Sequence, residues 1–293
     1  MFFRLFILFL LMTIVASAQT SSLKKEIQTI IHGKKATIGV GLCLNGQTVL
    51  TINNKHHYAM MSTFKFPLAI SVLNYLDKQK LPLTTEVFIH KSDLLPNTYS
   101  PLRDSHPNGN FNMSVKDLIK YSVSLSDNNA CDILLRYLGG PQTVQDYLDS
   151  IGIKDMHIVV TEARMHEGSP NEYLNWCTPE AAVQLTDIFL QGTLLSEEYQ
   201  KFLETTLIET TTGADKLKGQ LPSNLIVGHK TGSSDRSSSG LKAGDNDMGF
   251  VRLPNGKSYS IAVFIMDSLE DDKTNAAIIA RISRAVFNHL VKQ

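Results

Sequence analysis

Cysteine is scarce in this 293-residue chain: Cys43, Cys131 and Cys177 are its only three. At most one pair of them could bridge, so a fold held together by a disulfide framework is excluded. The nine histidines contain no His-x-His-x-Asp cluster, and His56 and His57 are adjacent rather than spaced as ligands. A zinc hydrolase is therefore disfavoured, and neither a metal nor another cofactor is expected. An excess of one charge is missing too. The 28 basic and 28 acidic residues supply no field that would attract nucleic acid or an anionic membrane. Internal repeats and low-complexity tracts are absent, as is the Gly-x-Ser-x-Gly elbow of a general serine esterase.

Apolar runs long enough for a membrane are lacking as well. The one near-candidate is the start, where Met1-Phe2-Phe3-Arg4 precedes an apolar stretch from Leu5 to Val15 and then Ala16-Ser17-Ala18. A charged start, a short apolar core and an A-x-A site describe a secretory signal, residues 1-18, cut before Gln19. It is too short for a convincing span, and no cysteine at the cleavage site suggests a lipid anchor. Loss of Arg4 leaves a mature chain of net charge −1. The mature protein is expected to be soluble, exported and monomeric, without a membrane partner. With 43% apolar residues, it can bury a large core, as one large domain or two closely packed ones.

Three short motifs carry chemistry. Ser-x-x-Lys recurs in the chain, but Ser21/Lys24 and Ser22/Lys25 sit in a polar stretch that reads as a solvated helix end. Ser62-Thr63-Phe64-Lys65 instead opens an apolar run through Leu76, long enough for a buried helix. A hydroxyl at such a start faces free N–H groups and the positive dipole end, and Lys65 at i+3 shares its face. A lysine one turn inside an apolar helix is desolvated, which favours the neutral amine that a base requires. The same residues would also suit an N-cap serine beside a snorkelling lysine. Pro67 lies deep for a first-turn proline and predicts an irregular first turn.

Ser126-Asp127-Asn128 follows one helical stretch, Ser114 to Val123, and precedes another, Ala130 to Leu138. Such residues also make ordinary interhelical loops. Lys230-Thr231-Gly232-Ser233 follows the strand-like Leu225 to His229, where an ordinary explanation is a strand ending in a glycine turn. Each motif alone is commonplace. The three together, in this order, specify a nucleophilic hydroxyl with an amine beside it, a second ledge of hydroxyl and amide, and a strand edge for an anion.

Elsewhere, a first helix is predicted near 22–31, and Ile38 to Leu44 and Thr48 to Ile52 flank the hairpin signal Asn45-Gly46-Gln47. Strand character returns at 225–231, 248–253 and 258–265, before a last helix over 275–291. The two ends (19-59 and 208-293) should form an antiparallel sheet with covering helices, and the middle (60-207) an all-helical domain. The class is α/β plus all-α with the cleft between. Ser233 to Gly240 reads as a flexible connection near its mouth. Cys43 in a strand and Cys131 in a helix read as buried thiols.

In these motifs the chain resembles the class A serine β-lactamases, which share them with penicillin-binding proteins. Tyr99-Ser100-Pro101 is similar to that family's tyrosine gate. Thr161-Glu162-Ala163-Arg164-Met165-His166 with Asn175-Trp176 resembles its extended-spectrum branch of PER, VEB and CfxA enzymes. The resemblance implies the β-lactamase/penicillin-binding-protein-like fold, an antiparallel sheet flanked by helices with a large helical insert. It also implies a periplasmic hydrolase of penicillins and cephalosporins, oxyimino cephalosporins included, that confers resistance.

It further implies Ser62 as nucleophile, Lys65 as base directly or through Glu162, and Ser126 as proton donor to the lactam nitrogen. Backbone N–H groups of Ser62 and Ser233 would hold the oxyanion. Tyr99 would gate the cleft, Asn128 bind the substrate's side-chain amide, and Lys230, Thr231, Gly232 and Ser233 its carboxylate, with Asp127 as a brace. The family's common disulfide position is Ala69 here, so no such bridge is expected. Two assignments stay open. Glu162 fits the family spacing for the water-activating carboxylate, yet Glu167 with Asn171 matches Glu-x-x-x-Asn literally, and His166 stands where the usual water partner would be. Lys216 occupies the position of a carboxylate-binding arginine, and a point-charge amine is no bidentate replacement. A penicillin-binding D,D-peptidase and a β-lactam sensor domain are the alternatives; Glu162 favours the hydrolase.

Overall fold

The computed structural model describes residues 20–291; the secretory signal proposed for 1-18 lies outside the described residues. The helices are α1 (20–31), α2 (Lys65–Gln79), α3 (Pro101–Ser105), α4 (Val115–Ser124), α5 (Asn128–Leu138), α6 (Pro141–Ser150), α7 (Glu162–Met165), α8 (Pro179–Leu190), α9 (Glu197–Ile208) and α10 (Asp272–Leu290). The strands are β1 (Thr37–Leu44), β2 (Gln47–Ile52), β3 (Tyr58–Ala59), β4 (Glu86–Ile89), β5 (Phe111–Ser114), β6 (Met156–His157), β7 (Trp176–Cys177), β8 (Ile226–Ser233), β9 (Lys242–Arg252) and β10 (Ser258–Ser268).

Five strands form one antiparallel sheet in the order β2-β1-β10-β9-β8, which joins both ends of the chain. β10 shows why its sequence is nearly all apolar. Ile261, Val263 and Ile265 face the core under α1 and α10, with Leu23, Ile27, Ile278, Ile282 and Val286. Ala262 and Phe264 point the other way, into the core shared with the helices of the middle segment. Alternate residues of a strand face opposite sides, so a sheet covered on both faces needs apolar residues at every step. Against β1 the covering helix comes so close that a Cβ on Gly41 would lie 2.4 Å from Pro179 O. Glycine is required there.

α2 is the central helix of the middle segment, with every residue from Lys65 to Leu73 buried. That matches a helix apolar on all sides. Segment 60-207, expected to be all-helical, also holds short strands. β4 pairs with β5, and β7 lies between β3 and β6. These are brief pairings that tie loops down, and their two- to four-residue lengths carry too little alternation to be read from sequence. β8 extends through Ser233, so Gly232 lies inside the strand rather than in a terminal turn. All three cysteines are free and buried. No helix among the described residues is long and apolar enough to cross a membrane.

Candidate active site

The sheet edge β8, the start of α2, the α4–α5 junction and the 158–178 loop meet at a cavity of about 980 Å³. Ser62 lies in a 3-10 turn, Met61–Phe64, that leads into α2. This is the irregular first turn that Pro67 foretold. Met61 takes φ 47°, a left-handed conformation costly for a side chain with a Cβ. Buried amides hold it there. Asn246 Nδ2 donates to Ala59 O at 2.8 Å and to Met60 O at 3.2 Å, and Met60 N–H donates to Asn175 O at 2.8 Å.

Lys65 is fully buried, as expected, but its surroundings are polar rather than apolar. Its Nζ donates to Ser62 Oγ (3.0 Å), Ser126 O (2.8 Å) and Asn128 Oδ1 (2.6 Å), and lies 2.9 Å from Glu162 Oε1. Ser62 Oγ in turn donates to Glu162 Oε1 at 3.2 Å. Nucleophile, amine and carboxylate thus form a closed triangle, with Glu162 only 4% exposed. Glu167 is elsewhere. It is exposed, pairs with Arg164, and does not line the cavity. Of the two open carboxylates, only Glu162 reaches Ser62.

Ser126 also adopts a left-handed conformation, φ 59°. Asp127 next to it caps α5 by accepting the Ala130 N–H at 2.8 Å, and it takes Leu102 N–H (2.6 Å) and the Ser100 hydroxyl as well. It braces the loop and does not reach the cavity. Burial raises its carboxyl above the usual range, against the pull of those hydrogen bonds. Asn128 Nδ2 donates to Thr98 Oγ1 at 2.8 Å, which ties the Tyr99 segment to the motif. Tyr99 itself stands 58% exposed on the rim.

Lys230 Nζ donates to Ser126 Oγ at 2.8 Å, so the second and third motifs touch directly. Complete burial, and secondarily the nearby Lys65 charge, push its ammonium well below the ordinary lysine range. Thr231, Gly232 and Ser233 line the cavity. A Cβ on Gly232 would lie 2.6 Å from Met60 O and 3.0 Å from Ser62 N, so only glycine lets β8 lie against the nucleophile's backbone.

His166 lines the cavity, and its backbone N–H bonds to Glu162 O. Lys216 lines it as well, but its Nζ sits 2.6 Å from Asp245 Oδ1, a partner absent from the sequence reading. Arg236 is tied to Asp272 Oδ1 (2.6 Å) and Glu270 O (2.7 Å), which anchors the connection expected to be flexible. Asn175, which entered only through the resemblance, and Asp132, which went unread, both hold the 158–178 loop. Asn175 accepts the N–H groups of Val159 and Val160 and closes the loop that carries Glu162, and Asp132 accepts those of Glu162 and Ala163. The one sequence signal was the polar triplet Asp245-Asn246-Asp247 inside an otherwise apolar strand, since buried polar groups need partners. Among the described residues no group of His, Cys, Asp and Glu could hold a metal ion.

This constellation, at the edge of a sheet covered by helices, defines a serine acyl-transfer enzyme. The model of the β-lactamase enzyme family matches residues 22–290, and the chain belongs to that family, among its class A serine enzymes. It is 46% identical to a β-lactamase of Bacteroides uniformis over 94% of both chains. Identity to the extended-spectrum β-lactamase PER-1 of Pseudomonas aeruginosa is 40%, over 94% of this chain and 90% of that one. Among solved structures, the TLA-3 extended-spectrum β-lactamase superposes with a TM-score of 0.91 at 46% identity, covering 93% of this chain and 99% of that one.

Proposed function

We propose that Ser62 opens the β-lactam ring of penicillins and cephalosporins, oxyimino cephalosporins included, and that Glu162 then directs water onto the resulting ester. The observation that carries this is the triangle of Ser62 Oγ, Lys65 Nζ and Glu162 Oε1, with sides of 2.9 to 3.2 Å. Ser62 Oγ attacks the lactam carbonyl carbon, and its proton passes to Lys65, directly or through Glu162, both of which touch the hydroxyl. Backbone N–H groups of Ser62 and Ser233 receive the oxyanion. As the C–N bond breaks, the nitrogen takes a proton from Ser126, which Lys230 touches, and the proton removed from Ser62 is returned through Lys65 to Ser126, which leaves Glu162 ionised. Water then attacks the ester with Glu162 as base and frees Ser62.

The substrate carboxylate lies along Lys230, Thr231, Gly232 and Ser233, with Lys216 behind. Asn128 receives the side-chain amide, and Tyr99 and His166 border the entrance. The extended-spectrum names of PER-1 and TLA-3 support the oxyimino range. The reading includes a monomer exported to the periplasm, where the drugs meet their targets, so that the cell is resistant. The test is hydrolysis of a chromogenic cephalosporin by the wild type and by Ser62→Ala, with intact-mass detection of the adduct. Turnover by the wild type, and neither turnover nor adduct in the alanine variant, is the expected result. Stoichiometric acylation without turnover would instead mark a D,D-peptidase or a sensor.

A further inference from the structure

His229 and Asp247 lie outside the three motifs and outside the cavity, yet both are wholly buried beside the strand segment that carries Lys230. Side chains alternate along β8. Lys230 reaches Ser126 on the cleft face, and His229 turns to the opposite face, where its Nδ1 lies 2.9 Å from both carboxylate oxygens of Asp247 on β9. Asp247 stands opposite Thr231, the residue after Lys230, and its Oδ2 also accepts the Leu217 N–H at 3.1 Å. A carboxylate only accepts, so Nδ1 carries the ring hydrogen. Nε2 is buried and has no partner. A second hydrogen there would bury a charged N–H without an acceptor. The imidazole is therefore neutral, and the Asp247 charge stands uncancelled.

We infer that Asp247, held by His229 on the far face of the sheet, is the counter-charge that keeps the Lys230 amine protonated and so sets the upper pH limit for binding the substrate's carboxylate. This rests on the reading of Lys230 as that carboxylate's partner. Asp247 touches no reacting atom and is a positioning residue, acting through Lys230.

Lys230 has few groups to hold its charge. Complete burial pushes its ammonium well below the ordinary lysine range, and Lys65 on α2 adds to the push. Two carboxylates oppose it, Glu162 on α7 and Asp247 on β9, while Lys216 acts in the same direction as Lys65. The Cys131 thiol on α5 is held protonated well above its usual range and adds no charge. Glu162 is already paired with Lys65 at 2.9 Å and is neutral whenever it holds the proton of the attacking water. Asp247 takes no part in that proton transfer, so its charge is constant through the reaction. Its other cationic neighbour is Lys218, which burial also pushes down and whose Nζ donates to Ile208 O at 3.0 Å.

The experiment reads the charge of Lys230 directly, by NMR titration of isotope-labelled lysine side chains, with the signal assigned by its loss in Lys230→Arg. Asp247→Asn should lower the Lys230 midpoint by about one pH unit. The alkaline fall in kcat/KM for benzylpenicillin should move with it, through KM rather than kcat. His229→Asn removes the ring and leaves the carboxylate, so its midpoint should stay with the wild type even where urea titration shows lost stability. Equal shifts in both variants, no shift in Asp247→Asn, or a midpoint that moves while the KM limb stays would overturn the inference. If either variant fails to fold, Glu162→Gln decides. With the other carboxylate gone, Lys230 should remain an ammonium near pH 7, and a neutral amine there would overturn the inference. The NMR titration needs no substrate, so a wild type that does not hydrolyse penicillin would sink the proposed reaction, while the midpoints still judge the counter-charge.

Discussion

Ser62 Oγ donates a 3.2 Å hydrogen bond to Glu162 Oε1, across a hundred residues of chain. One residue comes from the turn before α2 and the other from the short α7, and the contact depends on the 158–178 loop being pinned to the segment that precedes Ser62, where β3 also pairs with β7. Asn175 makes that pin. It accepts two N–H groups of the loop and gives its own carbonyl to Met60.

Glu162→Gln should trap the acyl group on Ser62, because an amide cannot take the proton from an attacking water. Deacylation should fall by about 10²- to 10⁴-fold, visible as a persistent mass adduct, whereas Glu167→Gln should turn over normally. A Glu162→Gln enzyme at wild-type rate would remove this carboxylate from the mechanism.

Gly232→Ala tests the close approach of β8. The added Cβ meets backbone, Met60 O at 2.6 Å, so the strand has to move away from the nucleophile. The expected outcome is a loss of roughly a hundredfold in kcat/KM with an overpacking cost of about 1 to 3 kcal/mol in denaturant titration. An alanine enzyme with unchanged kinetics would mean that the strand does not border the reacting centre.

Lys216 is committed to Asp245, so its replacement should be felt in stability before substrate binding. Lys216→Ala leaves Asp245 with the Asn275 amide at 3.2 Å and Lys242 at 3.6 Å. With those partners retained, the cost is expected to be about 1 to 3 kcal/mol, below that of a fully unpaired buried charge. The KM for a penicillin should rise less than about tenfold, the worth of a hydrogen bond to a charged group. A large rise in KM at unchanged stability would assign the amine to the substrate carboxylate instead.

Lys230 adds a contribution to stability that rises with pH. Its ammonium is pushed well below the ordinary value of 10.5, so between the folded and unfolded pKa the unfolded chain binds the extra proton, and this contribution grows by up to about 1.4 kcal/mol per pH unit. The buried thiols of Cys43, Cys131 and Cys177, whose pKa is raised, contribute the opposite slope at high pH, so the difference between wild type and Lys230→Met isolates the lysine. In urea titrations at stepped pH, wild-type stability minus that of Lys230→Met should rise across the window, and a difference that is flat or falls would contradict a depressed Lys230.

The motifs were legible because each is local. A hydroxyl and an amine three residues apart share a helix face whatever the rest of the chain does, and Ser126-Asp127-Asn128 marks a junction because Asp127 must cap the helix that follows. Strand β10 was legible for the same reason, since its unbroken apolar run has to be covered on both faces. Less could be read of the short strands β3 to β7, whose two to four residues owe their pairing to neighbours rather than to propensity.

By itself the sequence determined helices α1, α2, α4, α5 and α10, the strands of the main sheet, the order of the three motifs and the family they resemble, because periodicity and short spacing act along the chain. Only the tertiary structure decided which carboxylate meets Ser62, that Lys216 is held by Asp245, and that Asp132 carries the Glu162 turn. Those partners come from elements up to a hundred residues apart, and which of several similar carboxylates completes a buried site is settled by where the packed backbone places it.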